Sequence, residues 1–129
     1  MILVDTSVWI RSLANRVPYA TGMAKLLSLG EVAGHELIYG ELLIGDSGGR
    51  AKLLALYEQI RFAKTVAHEN VLAFVRAHSL SGRGIGWVDA HILASAVAGN
   101  IRLWTADTHL AELASEFGVK YEAPPGTIH

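Results

Sequence analysis

The sequence predicts an α/β fold in which a parallel sheet is covered on both faces by helices. Short apolar runs alternate with amphipathic stretches along the whole chain. Such alternation is the signature of β-strands joined by crossover helices. Glycine or asparagine closes several of the helical stretches.

The first strand is "ILVD", and Thr6 or Ser7 is the expected N-cap of a helix over "VWIRSLAN". A second helix covers "TGMAKLLSLG" and ends at Gly30, which has the character of a C′ glycine. "EVAG" is a short strand, "HELIYGELLIG" a helix, "DSGG" a loop and "RAKLLALYEQI" an amphipathic helix. "RFAKTV" is strand or extended connection, and "HENVLAFVRAHSL" is helical by its apolar i, i+3, i+4 spacing. After the glycine-rich loop "SGRGIG", the small-residue helix "WVDAHILASAVAGN" is closed by Gly99 and Asn100. "IRLWT" is a strand, "DTHLAELASEFG" a helix and "VKYE" a last strand before the tail "APPGTIH". No repeat, low-complexity run or linker divides residues 1–129, so one domain is expected.

With 51% apolar and 18% charged residues, the chain has the composition of a globular protein rather than a disordered one. It shows no apolar stretch of membrane-spanning length and no signal peptide, and a cytoplasmic protein is expected. The absence of cysteine excludes disulfides and thiolate metal sites. Six histidines show no HxH or HExxH spacing, which argues against zinc, and "GRGIG" lacks the Lys-Ser/Thr ending of a P-loop.

The acids carry the chemistry. Asp5 ends the first strand, and Asp107 follows the strand "IRLWT", where ligands gather in parallel sheets. Glu41 shares a helix face with Leu37, Ile38, Ile44 and Gly45, and Asp89 shares one with Ile85, Ile92 and Leu93. Each acid alone has a second explanation: Asp5 and Asp107 as helix caps, Asp89 as a first-turn partner of the helix dipole. Glu41 is the hardest to explain that way, because an acid on an apolar face needs a partner. One shared cause is more economical than four. Carboxylates gathered without thiolates suit Mg²⁺ or Mn²⁺, and such a site favours phosphodiester hydrolysis. Thr6, Ser7 and Thr105 add hydroxyls beside the acids, with capping as their alternative role. If the four acids face a cation, the rest of the chain carries 11 basic and about eight acidic groups, a balance a polyanion tolerates. Arg11, Arg50 and Arg83 are the candidate phosphate contacts, and Trp87 a candidate base-stacking residue.

Four segments, "ILVDTSVWI", "YGELLIG", "GIGWVDAHILASA" and "LWTADTHL", resemble in order and spacing those of the PIN domain, and within that family the VapC toxins of bacterial toxin–antitoxin pairs. The resemblance implies a three-layer α/β/α sandwich with a central parallel sheet and an Mg²⁺- or Mn²⁺-dependent endoribonuclease site. Asp5, Glu41, Asp89 and Asp107 take its metal-binding and catalytic positions. It also implies a homodimer, an RNA substrate, and inhibition by a VapB-type antitoxin that alone contacts operator DNA. The helices "TGMAKLLSLG" and "RAKLLALYEQI" are candidates for those protein contacts. The chain departs from many relatives in carrying Thr108, His109 and Leu110 where a further acid follows the fourth, which leaves one or two metals open. Two other functions fit parts of the pattern. One is a non-catalytic interaction module of the same fold. The other is an aspartate-based phosphatase using Asp5, which Ser7 disfavours because Asp-x-Asp is wanted there.

Overall fold

The computed structural model describes residues 1–124; the end of the expected tail, positions 125–129, lies outside the described residues. Four strands form one parallel sheet: β1 (Ile2–Val4), β2 (Val32–Gly34), β3 (Arg61–Phe62) and β4 (Arg102–Trp104), in the order β3-β2-β1-β4. The helices are α1 (Thr6–Leu13), α2 (Tyr19–Ser28), α3 (Glu36–Ile44), α4 (Ala51–Gln59), α5 (His68–Ala77), α6 (Trp87–Gly99) and α7 (Thr108–Glu116). Ile2, Leu3 and Val4 are all buried although successive strand residues point to opposite faces, so the central strand is covered on both. This is the three-layer α/β/α sandwich expected from the sequence.

The order of strands fixes where a ligand can reach the sheet. From β1 the chain steps outward through β2 to β3, then returns to place β4 on the other side of β1. Adjacent strands whose connections leave in opposite directions create a crevice at their carboxyl ends. That crevice lies between β1 and β4, whose pairs are Ile2 with Arg102, Leu3 with Leu103 and Val4 with Trp104. Asp5 and Thr105 are the next residues of the two strands.

Helix ends follow the local chemistry closely. Gly30 adopts φ +67°, and the Glu31 and Gly30 N–H groups close α2 on the carbonyls of Leu26 and Leu27. Asn100 takes φ +51° and ends α6 in the same way. The helix expected to reach residue 80 stops at Ala77, because Ser79 adopts φ +53° and the Leu80 N–H turns back to the Val75 carbonyl. No glycine announces that turn. The last expected strand, "VKYE", is reduced to a single parallel bridge between Lys120 and Leu103. Two hydrogen bonds hold it, from Leu103 N–H to Val119 and from Tyr121 N–H to Leu103.

One expectation about the acids' surroundings needs correction. The buried stripe of α3 is Ile38 and Leu42, whereas Ile44 is 87% exposed, so Glu41 sits half-buried at the margin of the core face rather than in its middle. Of the aspartates, Asp5 alone is fully buried; Asp89 is half-buried and Asp107 exposed.

Candidate active site

Asp5 stands at the N-cap position of α1, but its carboxylate does not cap the helix. Thr6 and Ser7, the caps expected from the sequence, do not cap it either, since both lie inside the helix and both hydroxyls are turned to acids. Ser7 Oγ and Thr105 Oγ1 each donate to Asp5 Oδ2 at 2.8 Å. The two hydroxyls receive in turn the N–H groups of Ala106 and Asp107, each at 3.0 Å. A polar strap thus joins the ends of β1 and β4 across the crevice and fixes the Asp5 rotamer. Thr6 Oγ1 donates to Glu41 Oε1 at 2.5 Å, which supplies the partner that an acid on α3 requires.

The other two acids are held by backbone. Asp107 is the N-cap of α7, its Oδ1 accepting from Leu110 N–H at 3.0 Å. Asp89, in the first turn of α6, accepts from Gly86 N–H at 3.1 Å. Both therefore fill the capping or first-turn role considered from the sequence, and that role leaves each the rest of its carboxylate lone pairs.

The four acids share one electrostatic environment. Burial pushes the Asp89 carboxyl above its ordinary value, opposed by the Gly86 N–H and reinforced by the charges of Asp5, Asp107 and Glu41. Among the described residues the ion pairs join Arg83 to Glu112 and Glu116, and Lys120 to Glu122, so none neutralises this cluster. Nor do three or more His, Cys, Asp or Glu side chains there close into a tight ligand shell. The donor set is four carboxylates without a cationic partner, Asp89 feeling the charges of the other three, and carboxylate oxygens are the ligands of Mg²⁺, which retains several waters and takes one or two carboxylates directly.

The three candidate arginines are engaged within the chain. Arg11 donates to the Ser7 carbonyl at 3.1 Å and lies over the Tyr19 ring. Arg50 donates to the Leu42 carbonyl at 2.8 Å, closing the end of α3. Arg83 pairs with Glu116 on α7. None of them is held in the acid cluster by a hydrogen bond to an acid there.

A second polar group was not legible as a unit. His35, fully buried, caps α3 through Nδ1, which accepts from Leu37 N–H at 3.1 Å, and its Nε2 lies 3.0 Å from Ser95 Oγ. The Tyr57 hydroxyl receives the His35 N–H at 2.8 Å. Burial holds the His35 pKa below its usual value. The cue present in the sequence was a histidine between a strand and a helix, at an N-cap position; its partners come from α4 and α6, far along the chain.

Comparison with known proteins places this architecture. The model of the PIN domain matches residues 2–116. Ribonuclease VapC32 of Mycobacterium tuberculosis, from strain H37Rv and likewise from strain CDC 1551 / Oshkosh, is 42% identical over 120 residues, covering 92% of this chain and 94% of the relative. The crystal structure of PAE2754 from Pyrobaculum aerophilum superposes with a TM-score of 0.56, covering 92% of this chain and 90% of that one. At 16% identity this last likeness concerns the fold alone.

Proposed function

The chain belongs to the PIN domain family, and from that premise we propose that it is a VapC-like toxin, a metal-dependent endoribonuclease that hydrolyses RNA phosphodiester bonds. The reading is supported by the match to a ribonuclease across nearly the full length of both chains. The observation that carries the chemistry is Asp89: burial raises its carboxyl above the ordinary value, and the charges of Asp5, Asp107 and Glu41 add to that shift, at the side of the sheet where the connections of β1 and β4 diverge. Like charges are brought together in a fold only where something offsets them.

In this mechanism Asp5, Glu41, Asp89 and Asp107 hold Mg²⁺ or Mn²⁺. When bound, the ion neutralises the cluster and supplies Lewis acidity toward a phosphoryl oxygen. Ser7 and Thr105 orient Asp5: both hydroxyl bonds fall on Oδ2, which leaves Oδ1 for a ligand. Thr6 does the same for Glu41. Asp89, whose carboxyl burial holds above its ordinary value, binds a proton more readily than an exposed aspartate and is the acid assigned to proton transfer. Arg11, Arg50 and Arg83 remain candidate phosphate contacts, each needing to leave or share its present partner.

The same reading includes one domain over residues 1–129, a cytoplasmic setting, a VapB-type antitoxin, and a homodimer that reaches operator DNA only through that antitoxin. Leu43, Ile44 and Leu56, exposed on α3 and α4, and Leu29 at the end of α2 supply apolar surface for such contacts. No described helix is long and apolar enough to cross a membrane.

Cleavage of RNA with Mg²⁺ or Mn²⁺, and its loss in chelator, tests the proposal. Asp5→Asn and Glu41→Gln keep the side-chain shapes and are expected to slow cleavage about a hundredfold or more. Folded variants that cleave at the parent rate sink the four-acid mechanism.

A further inference from the structure

Of the three tryptophans, Trp9 and Trp104 are buried, whereas Trp87 at the start of α6 is 41% exposed. Its indole is nevertheless fixed in place. His68 stands edge-on to it at 5.2 Å and 65°, and His91 at 4.8 Å and 87°. His91 is itself buried, so the indole rests against a solid wall and presents its remaining surface outward. Holding a large apolar ring rigid and half-exposed costs solvation free energy that packing does not recover.

Trp87 also borders a cavity of about 160 Å³, whose apolar wall comes from Val75, Leu80, Ile85 and Ala90. That is well below the roughly 300–1,000 Å³ of pockets that engulf a drug-sized ligand, and it suits a single planar ring. No charged side chain lines it, so a phosphate is not its natural occupant. Ser81, Gly82 and Gly86 are its polar lining; the Gly86 N–H and carbonyl are taken by Asp89 and the Ala90 N–H, which leaves Ser81 and Gly82 to meet the edge of a ring. Gly86 belongs to both places at once: its surface lines the cavity while its N–H holds Asp89. A Cβ built on Gly86 meets no protein atom within 4 Å, so the backbone there is open to a ligand.

We propose that Trp87 and this cavity form a subsite for one unpaired nucleobase of the RNA, beside the bond that the acids cleave. This rests on the ribonuclease reading above and adds to it a residue that sets which nucleotide is accepted. The base stacks on the indole, its edge meets Ser81 and Gly82, and its phosphates stay outside, toward the acid cluster. Stacking tolerates any base, while the small volume and the polar fringe discriminate among them. The occupant is a base rather than a peptide side chain because Gly86 both lines the cavity and holds Asp89, so the molecule on which the acids act passes beside it.

The test uses Trp87→Ala, Trp87→Phe and short single-stranded RNA, with two independent readouts. In chelator, RNA is expected to quench the fluorescence of the parent but not of Trp87→Phe, whose remaining tryptophans are buried. Affinity for a labelled RNA is expected to fall about tenfold or more in Trp87→Ala and to be largely kept in Trp87→Phe. In cleavage assays with Mg²⁺, Trp87→Ala is expected to raise KM, to retain most of kcat, and to lose base preference next to the cut. An abasic residue at that position erases the difference between parent and variant. A parent that cleaves RNA without quenching, or a Trp87→Ala variant with unchanged KM and preference, overturns the subsite and leaves the nuclease standing. A parent that shows Trp87-dependent quenching but cleaves no RNA keeps the base-binding subsite and overturns the nuclease. Absence of both quenching and cleavage overturns both.

Discussion

Each hydroxyl at the head of α1 has a stronger claim on it than the helix does. Thr6 and Ser7 each donate to a carboxylate, and hydrogen bonds to ionised groups contribute about 1.5–3 kcal/mol, more than a typical cap. The first turn of α1 is left without side-chain caps as a result, a local rule broken at a functional site. Asp89 shows the same trade from the other side. Burial and three neighbouring charges raise its proton affinity, so its ionised form weakens the apo fold at neutral pH. Asp89→Asn keeps an oxygen for the Gly86 N–H and removes the charge. It is expected to stabilise the metal-free protein by up to about 1 kcal/mol at pH 7 while abolishing RNA cleavage. Thermal melts in chelator check the first half, and a lower melting point than the parent's contradicts it.

Among the elements, α2 and β4 are joined by a contact that the sequence conceals. Gly22 lies mid-helix in α2, where glycine costs about 1 kcal/mol against alanine. Its reason is Trp104: a Cβ at position 22 comes within 2.8 Å of the indole Cη2. Trp104 is 4% exposed and stacks on Tyr19 at 6.1 Å, with Tyr121 at 5.4 Å, so it has little room to move. Overpacking of this kind costs about 1–3 kcal/mol, which outweighs the gain in helix propensity. Gly22→Ala is therefore expected to lower stability by roughly 1–2 kcal/mol, read from urea midpoints, although helix propensity alone predicts the reverse. Because Trp104 precedes Thr105, the substitution also tests how far strain in this packing reaches the Asp5 strap.

For the whole molecule, the sheet order decides both where the acids meet and how the fold responds to pH. His35 follows β2, caps α3 and binds Ser95 of α6, so it ties three elements of the core together. Burial lowers its pKa from the ordinary value of 6.5, and His91 is shifted the same way for the same reason. Below pH 6.5 the unfolded chain takes up protons that the native protein refuses. Stability is therefore expected to fall as pH drops from 6.5 toward the lowered native value, and to be flat in this respect above it. His35→Asn retains an acceptor for the Leu37 N–H but cannot titrate; it is expected to cost about 1 kcal/mol at pH 7 and to flatten that slope. Unfolding curves between pH 5 and 7.5 decide, and an unchanged slope refutes the assignment.

The sequence by itself determined the order and type of the elements up to α7, though not the last expected strand, which is a single bridge, together with the ends marked by Gly30 and Asn100 and the four acids as the residues to watch. Those features are local: apolar period, turn chemistry, and a carboxylate where an apolar residue belongs. Its errors were local as well. The turn at Ser79 carries no glycine, and the apparent stripe through Ile44 mistook a solvated helix end for core. Only the tertiary structure decided that Ser7 and Thr105, 98 positions apart, share Asp5 Oδ2, and that Thr6 answers Glu41 across 35. It alone gave His35 its buried partners and set Trp87 against two imidazoles beside a cavity. Period and propensity describe a residue's neighbours along the chain. Which hydroxyl meets which acid depends on strand order and register, and these are fixed by how the sheet closes, not by any one segment.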